Sequence, residues 1–157
     1  MIRDLLDRLE RVIRIACIVS FSIMAIMGVL QVLCRYFLNI SIEFSEELAR
    51  YSFVWAVFLG SVLCYRQHSH AAIEVFVKKI PMRLRRPVLV VSSLVCSAFF
   101  VLLVLHGTTI TIDAMGQATA SLGISMALPY AAVPVGGFLL FIYSLEILYE
   151  RFELGKE

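Results

Sequence analysis

Between Arg14 and Arg35 the chain runs for 20 residues without a charged side chain, and between Arg86 and Asp113 it does so for 26. A bilayer core about 30 Å thick is crossed by roughly 20 helical residues, so either run is long enough to span it. Two further apolar stretches, one around Trp55 and one after Met126, complete a set of four. Apolar residues make up 61% of the 157 and charged residues only 17%, against about half and a quarter in soluble domains. Lipid offers no hydrogen bonds to a bare backbone, so each stretch must be helical. The expected fold is all-α: one polytopic membrane domain with four transmembrane helices over 15–37, 46–65, 87–112 and 127–149.

The segments between these spans sort by charge. Residues 1–14 place Ile2, Leu5, Leu6, Leu9, Val12 and Ile13 on one stripe and charged side chains on the rest. That pattern predicts an amphipathic helix lying in the membrane interface beside the first span. Its long polar segment and the absence of an A-x-A site argue against a signal peptide. Residues 66–86 form a basic loop in which Ala72 to Ile80 are expected to make a short interfacial helix ended by Pro81. The amino-terminal segment carries four bases, the middle loop six and the tail two, while 38–45 and 113–125 carry none. Short basic loops stay in the cytoplasm, which puts both termini and the middle loop inside.

The region from Gln31 to Gly60 concentrates charge where it is costly. Arg35 ends the first apolar run, and Glu43, Glu46, Glu47 and Arg50 open the second at helical steps of three and four. An unpaired charge at membrane depth costs about 3 kcal/mol. One expectation is therefore a protein-facing lock, Arg35 meeting Glu46 or Glu47 or a charge on a partner. The other is an interfacial cluster solvated by headgroups. Trp55, inside the second span, is expected to face a partner.

Several chemistries are poorly served. Cys17, Cys34, Cys64 and Cys96 stand singly in apolar runs, with no ligand spacing for zinc. His106 is alone in the third span, and His68 and His70 sit in the basic loop. No cofactor, metal site or enzymatic activity is expected. Basic residues flank apolar helices without interleaved exposed aromatics, so nucleic acid is not an expected partner either.

Three pieces of the chain carry a resemblance: CRYFLNISIEFSEELARYSFVWAVFLGS from Cys34, HAAIEVFVKKIP from His70 and SLGISMALPYAAVPVGG from Ser121. In this order on a four-span chain, they resemble the small membrane subunit, DctQ type, of tripartite ATP-independent periplasmic (TRAP) transporters. Positions matching recurrent family residues are Arg35, Tyr36, Glu46, Glu47, Arg50, Trp55, Gly60, His70, Pro134 and Gly136. Ala71, Ala72 and Glu74 depart from the family's pattern after His70. The resemblance implies a scaffold subunit in the bacterial inner membrane. Its partners would be a large DctM-type membrane subunit, a periplasmic substrate-binding protein and membrane lipids. Together they would import an organic acid on an ion gradient, usually of sodium.

Independently of resemblance, the chain lacks the paired broken helices of transporters that house their own substrate site, since only the fourth span carries a Pro–Gly break. Two other functions stand beside the scaffold. A self-sufficient four-span proton-coupled exporter would recruit Glu46 or Glu47 as its proton site. A membrane oxidoreductase would need external cysteine pairs or intramembrane histidine pairs.

Overall fold

The computed structural model describes residues 2–40, 42–68 and 82–153, with side chains over 4–40, 42–67, 88 and 90–148. The expected interfacial helix near 72–80 and the site residue His70 lie outside the described residues. Helix α1 covers Ile2–Leu33 and continues as a π-helical turn, Cys34–Leu38. Then come α2 (Glu43–His68), α3 (Met82–Asp113), the single turn α4 (Ala127–Tyr130) and α5 (Ala132–Glu153). Among the described residues four helices are long and apolar enough to cross a membrane, as the charge-free runs require.

The pattern of residues 1–14 predicts an interfacial helix beside the first span, but the described part of that segment is continuous with the span. The reason lies in the stripe itself. Ile13 is buried, and Leu6 and Leu9 pack against the same cluster as Leu59, Val62, Phe100, Leu140 and Tyr143. Part of the apolar stripe of this segment thus meets protein, while Leu5 and Val12 on the same stripe stay exposed. Helix α3 also begins five residues before the expected start at Pro87, and α2 three residues before Glu46.

The chain reverses between α1 and α2 at Asn39, whose φ of 52° is left-handed. Asparagine tolerates that region better than most residues. The amides of Asn39 and Ile40 both return to the Cys34 carbonyl, closing the wide π turn. The start of α1 and the last turns of α5 lie at one end of the bundle, called here the terminal end. The 39–42 reversal and the 114–126 connection share the far end.

In cross-section α1 packs on α2, α2 on α5, and α5 on α3. Adjacent glycines let α5 sit tightly between its two neighbours. A Cβ at Gly136 would come within 2.8 Å of the Phe58 ring on α2, and one at Gly137 within 3.0 Å of Leu103 on α3. Small residues that let backbones approach are the usual device of helix pairs in lipid. A buried hydroxyl pair adds direction: Ser97 and Ser144 lie 2.6 Å apart, and Ser97 also donates to the Ser93 carbonyl at 2.9 Å. Two exposed hydroxyls in the spans are satisfied locally, Thr108 on the Val104 carbonyl and Ser61 on that of Val57.

Candidate functional site: a clasp at each end of the bundle

At the terminal end, Arg66 is the centre of a side-chain cluster drawn from three helices. It stands at the last turns of α2, with 14% of its side chain exposed. Its guanidinium donates to Asp7 at 2.6 Å, to the Leu6 carbonyl at 3.2 Å and to Glu10, all on α1. A longer contact of 3.4 Å reaches Glu146 on α5. The planar fork suits this role, since it offers five donors in one plane to several acceptors at once.

Around it the cluster closes. Arg14 pairs with Glu10 one turn along α1, and Gln67 donates to Glu10 at 3.3 Å. The Arg66 guanidinium lies 5.0 Å over the ring of Tyr143, within cation–π range. The Tyr143 hydroxyl donates to the Leu6 carbonyl at 3.3 Å, tying α5 to α1. Among the described residues Glu146 Oε2 is buried without a hydrogen-bond partner, and Arg66 is the cation paired with that carboxylate.

At the far end the polarity is inverted. Glu47 is buried, and its two oxygens accept from three consecutive amides of the α3–α4 connection: Ala120 at 3.1 Å, Ser121 at 3.2 Å and Leu122 at 2.9 Å. The connection is folded for this. Thr119 N donates to Ile124 O and Met126 N to Gln117 O, each at 2.8 Å, and Gly123 takes a φ of 64° at the tip. Glu47, Tyr51 and Trp55 follow at steps of four, so one face of α2 meets this connection. The Tyr51 hydroxyl lies 3.9 Å from the Met126 sulfur, and Trp55 Nε1 donates to the Leu128 carbonyl at 3.2 Å.

The residues singled out from sequence therefore separate. Glu46 turns outward and pairs with Arg50 at 2.7 Å, both well exposed. Arg35 is exposed in the π turn, and among the described residues no ion pair joins it to Glu46 or Glu47. The intramolecular lock expected between Arg35 and those acids is corrected: Glu46 is satisfied by Arg50, one turn away, and Glu47 by backbone amides. At the carboxyl end of α1, Arg35 instead suits the negative pole of the helix. Tyr36 beside it is 77% exposed. Trp55, expected to face a partner, is half-buried and held to its own chain at the Leu128 carbonyl. Gly60 sits on the α1–α2 contact with room for a Cβ, 3.8 Å from Cys17 Sγ. Pro134 occupies the first turn of α5, where a missing amide costs little, and Gly107 is the residue that lets α3 lie against it.

Sequence reasoning missed the terminal cluster. By position Arg66 reads as part of the basic loop, and Asp7 and Glu10 as part of the charged side of the amino-terminal helix. A lone acid inside the fourth apolar run, Glu146, was the available signal, because an acid there calls for a cation.

The family described as tripartite ATP-independent periplasmic transporters, DctQ component, matches residues 23–154. A Haemophilus influenzae protein provisionally named a TRAP transporter small permease is 37% identical over 81 residues, 52% of this chain, and the chain spans about half (50%) of that relative's length. The Vibrio cholerae sialic acid TRAP transporter small permease protein SiaQ is 29% identical over 98% of this chain and 87% of its own length. The Haemophilus influenzae sialic acid TRAP transporter permease protein SiaT is 28% identical over 84% of this chain but only 22% of its own length.

Proposed function

The chain belongs to the DctQ component family of tripartite ATP-independent periplasmic transporters, and on that premise we propose that it is a scaffold subunit in the import of an organic acid. It is a transport component, not an enzyme, and a multi-pass protein of the bacterial inner membrane. Its partners in this reading are a large membrane subunit holding the substrate and ion sites, and a periplasmic protein that delivers the substrate. The ion is sodium, and the substrate is an organic anion of the sialate or dicarboxylate kind that relatives are named for. The basic terminal end faces the cytoplasm, and the Glu47-held connection faces the periplasm.

The observation that carries the scaffold role is the use to which buried charge is put. Arg66 and Glu47 are spent on contacts within the chain, and each immobilises backbone or helix. An exporter that used Glu46 or Glu47 as a proton site would need an acid free to load and release a proton within a pathway. Glu46 is ion-paired at the surface and Glu47 is held by three amides, which speaks against that use.

Reconstitution tests the proposal. Proteoliposomes with this chain alone should take up no sialate or dicarboxylate under an inward sodium gradient. Adding the large subunit and the substrate-binding protein should produce uptake that collapses when the sodium gradient is dissipated. Uptake by the chain alone would overturn the scaffold role, and uptake indifferent to sodium would overturn the coupling ion.

A further inference from the structure

Helix α3 buries one face against α5, through Ser93, Ser97, Phe100 and Gly107. Its other side carries a line of residues at steps of four and three: Val95, Phe99, Leu102, His106, Thr109 and Asp113. All six are exposed in the chain. Thr109 satisfies its hydroxyl on the Leu105 carbonyl at 3.1 Å. His106 differs, because among the described residues it has neither a hydrogen bond nor an ion pair, and no group of metal-ligating side chains surrounds it.

Depth makes this consequential. His106 lies seven residues before Asp113, about 10 Å below that end of the span. Lysine or arginine at such a position snorkels to the interface, but an imidazole on a single methylene is too short. A neutral imidazole presents one donor and one acceptor, and hydrocarbon tails answer neither. Histidines in spans face protein or water far more often than lipid. Leu102 and Phe99 beside it are more than half exposed, at 51% and 55%, so this face can seat a helix.

We propose that the His106 face of α3 is the seam on which the large membrane subunit packs, with a polar side chain on one of its helices completing the hydrogen bonds of the imidazole. This rests on the reading above that such a subunit is the partner. A second copy of the chain fits the seam poorly. Two copies with the same membrane orientation, related by a two-fold axis through this face, would bring Asp113 against Asp113 at one depth, and like charges so juxtaposed oppose pairing. The large subunit is free to place a cation or a donor there.

The test uses the complex of this chain with its large subunit in native membranes. A photoreactive benzoylphenylalanine replaces Leu102 or Thr109 on the seam, or Val101 or Ile112, which are also exposed but lie about a third of a turn from the centre of the seam. Irradiation should join the seam positions to the large subunit and leave both control positions unjoined. Alongside, His106→Leu should reduce the large subunit recovered with the chain several-fold at unchanged membrane levels of the chain, and His106→Asn, which keeps a donor and an acceptor, should restore most of it. Crosslinks at the controls as strong as at the seam, or seam crosslinks to a second copy in an intact complex, would overturn the assignment of this face. Unchanged recovery with His106→Leu would overturn the role of the imidazole. Failure of the wild-type chain to recover any large subunit would sink the partner reading itself, and this seam with it.

Discussion

At the terminal end of the bundle one cation is gathered among side-chain acids, whereas at the far end one acid is gathered among backbone amides. Arg66 draws on Asp7 and Glu10 of α1 and on Glu146 of α5, so it fixes three helices relative to one another. Glu47 draws on Ala120, Ser121 and Leu122, so it fixes a connection to one helix. The difference follows from what each end has to restrain. Helix ends approaching from separate directions need a group that reaches several ways, which a guanidinium does. A loop with open amides needs a small acceptor of concentrated charge, and a carboxylate taking several amide bonds is the usual answer. Both clasps are made within the chain, and each uses a charge that lipid would otherwise penalise.

Breaking the terminal clasp should have the largest effect. Arg66→Ala leaves Glu146 and Glu10 without their shared cation, and removal of one partner from a buried cluster costs about 3–5 kcal/mol. Thermal unfolding in detergent should register this, with Arg66→Lys intermediate because an ammonium cannot fork. Next comes Glu47→Ala, which should lower the melting temperature by about 6 °C, since it frees a connection and leaves the helix contacts in place. Trp55→Phe removes the bond to the Leu128 carbonyl, worth about 0.5–1.5 kcal/mol, and thins the packing of the larger indole against the core cluster. Equilibrium unfolding should show a loss near the upper end of that range. Glu46→Ala is the smallest change, because an exposed pair one turn apart contributes about 0.3–0.5 kcal/mol. A Glu46 effect as large as that of Glu47 in the same melts would erase the distinction between the two acids.

That distinction shows how far the sequence could be read. The four spans follow from charge-free runs, since the cost of charge in lipid acts on every residue of a span alike. The side chains that close the ends do not follow so directly. Glu46 and Glu47 are neighbours of one type, and what separates them is a 100° turn of the helix. One faces outward to Arg50, the other faces a connection more than seventy residues away. The step of four from Glu47 to Tyr51 and Trp55 marked that face, but nothing local named its partner. Arg66 was hidden differently, among six bases of a loop, although Glu146 inside an apolar run signalled that a cation must be near. Arg35 meets the requirement for a charge at a span end through exposure and the helix pole, with no carboxylate paired to it among the described residues.

Amide hydrogen exchange, resolved by residue on the chain in lipid nanodiscs, tests the two-clasp account most directly. In Glu47→Ala the amides of Ala120, Ser121 and Leu122 should exchange at least about tenfold faster, while protection around Leu6, Leu59 and Tyr143 stays as in the wild-type chain. Arg66→Ala should give the reverse pattern. If those three amides are already unprotected in the wild-type chain, or if either substitution loosens both ends alike, the bundle is not held by two separate clasps.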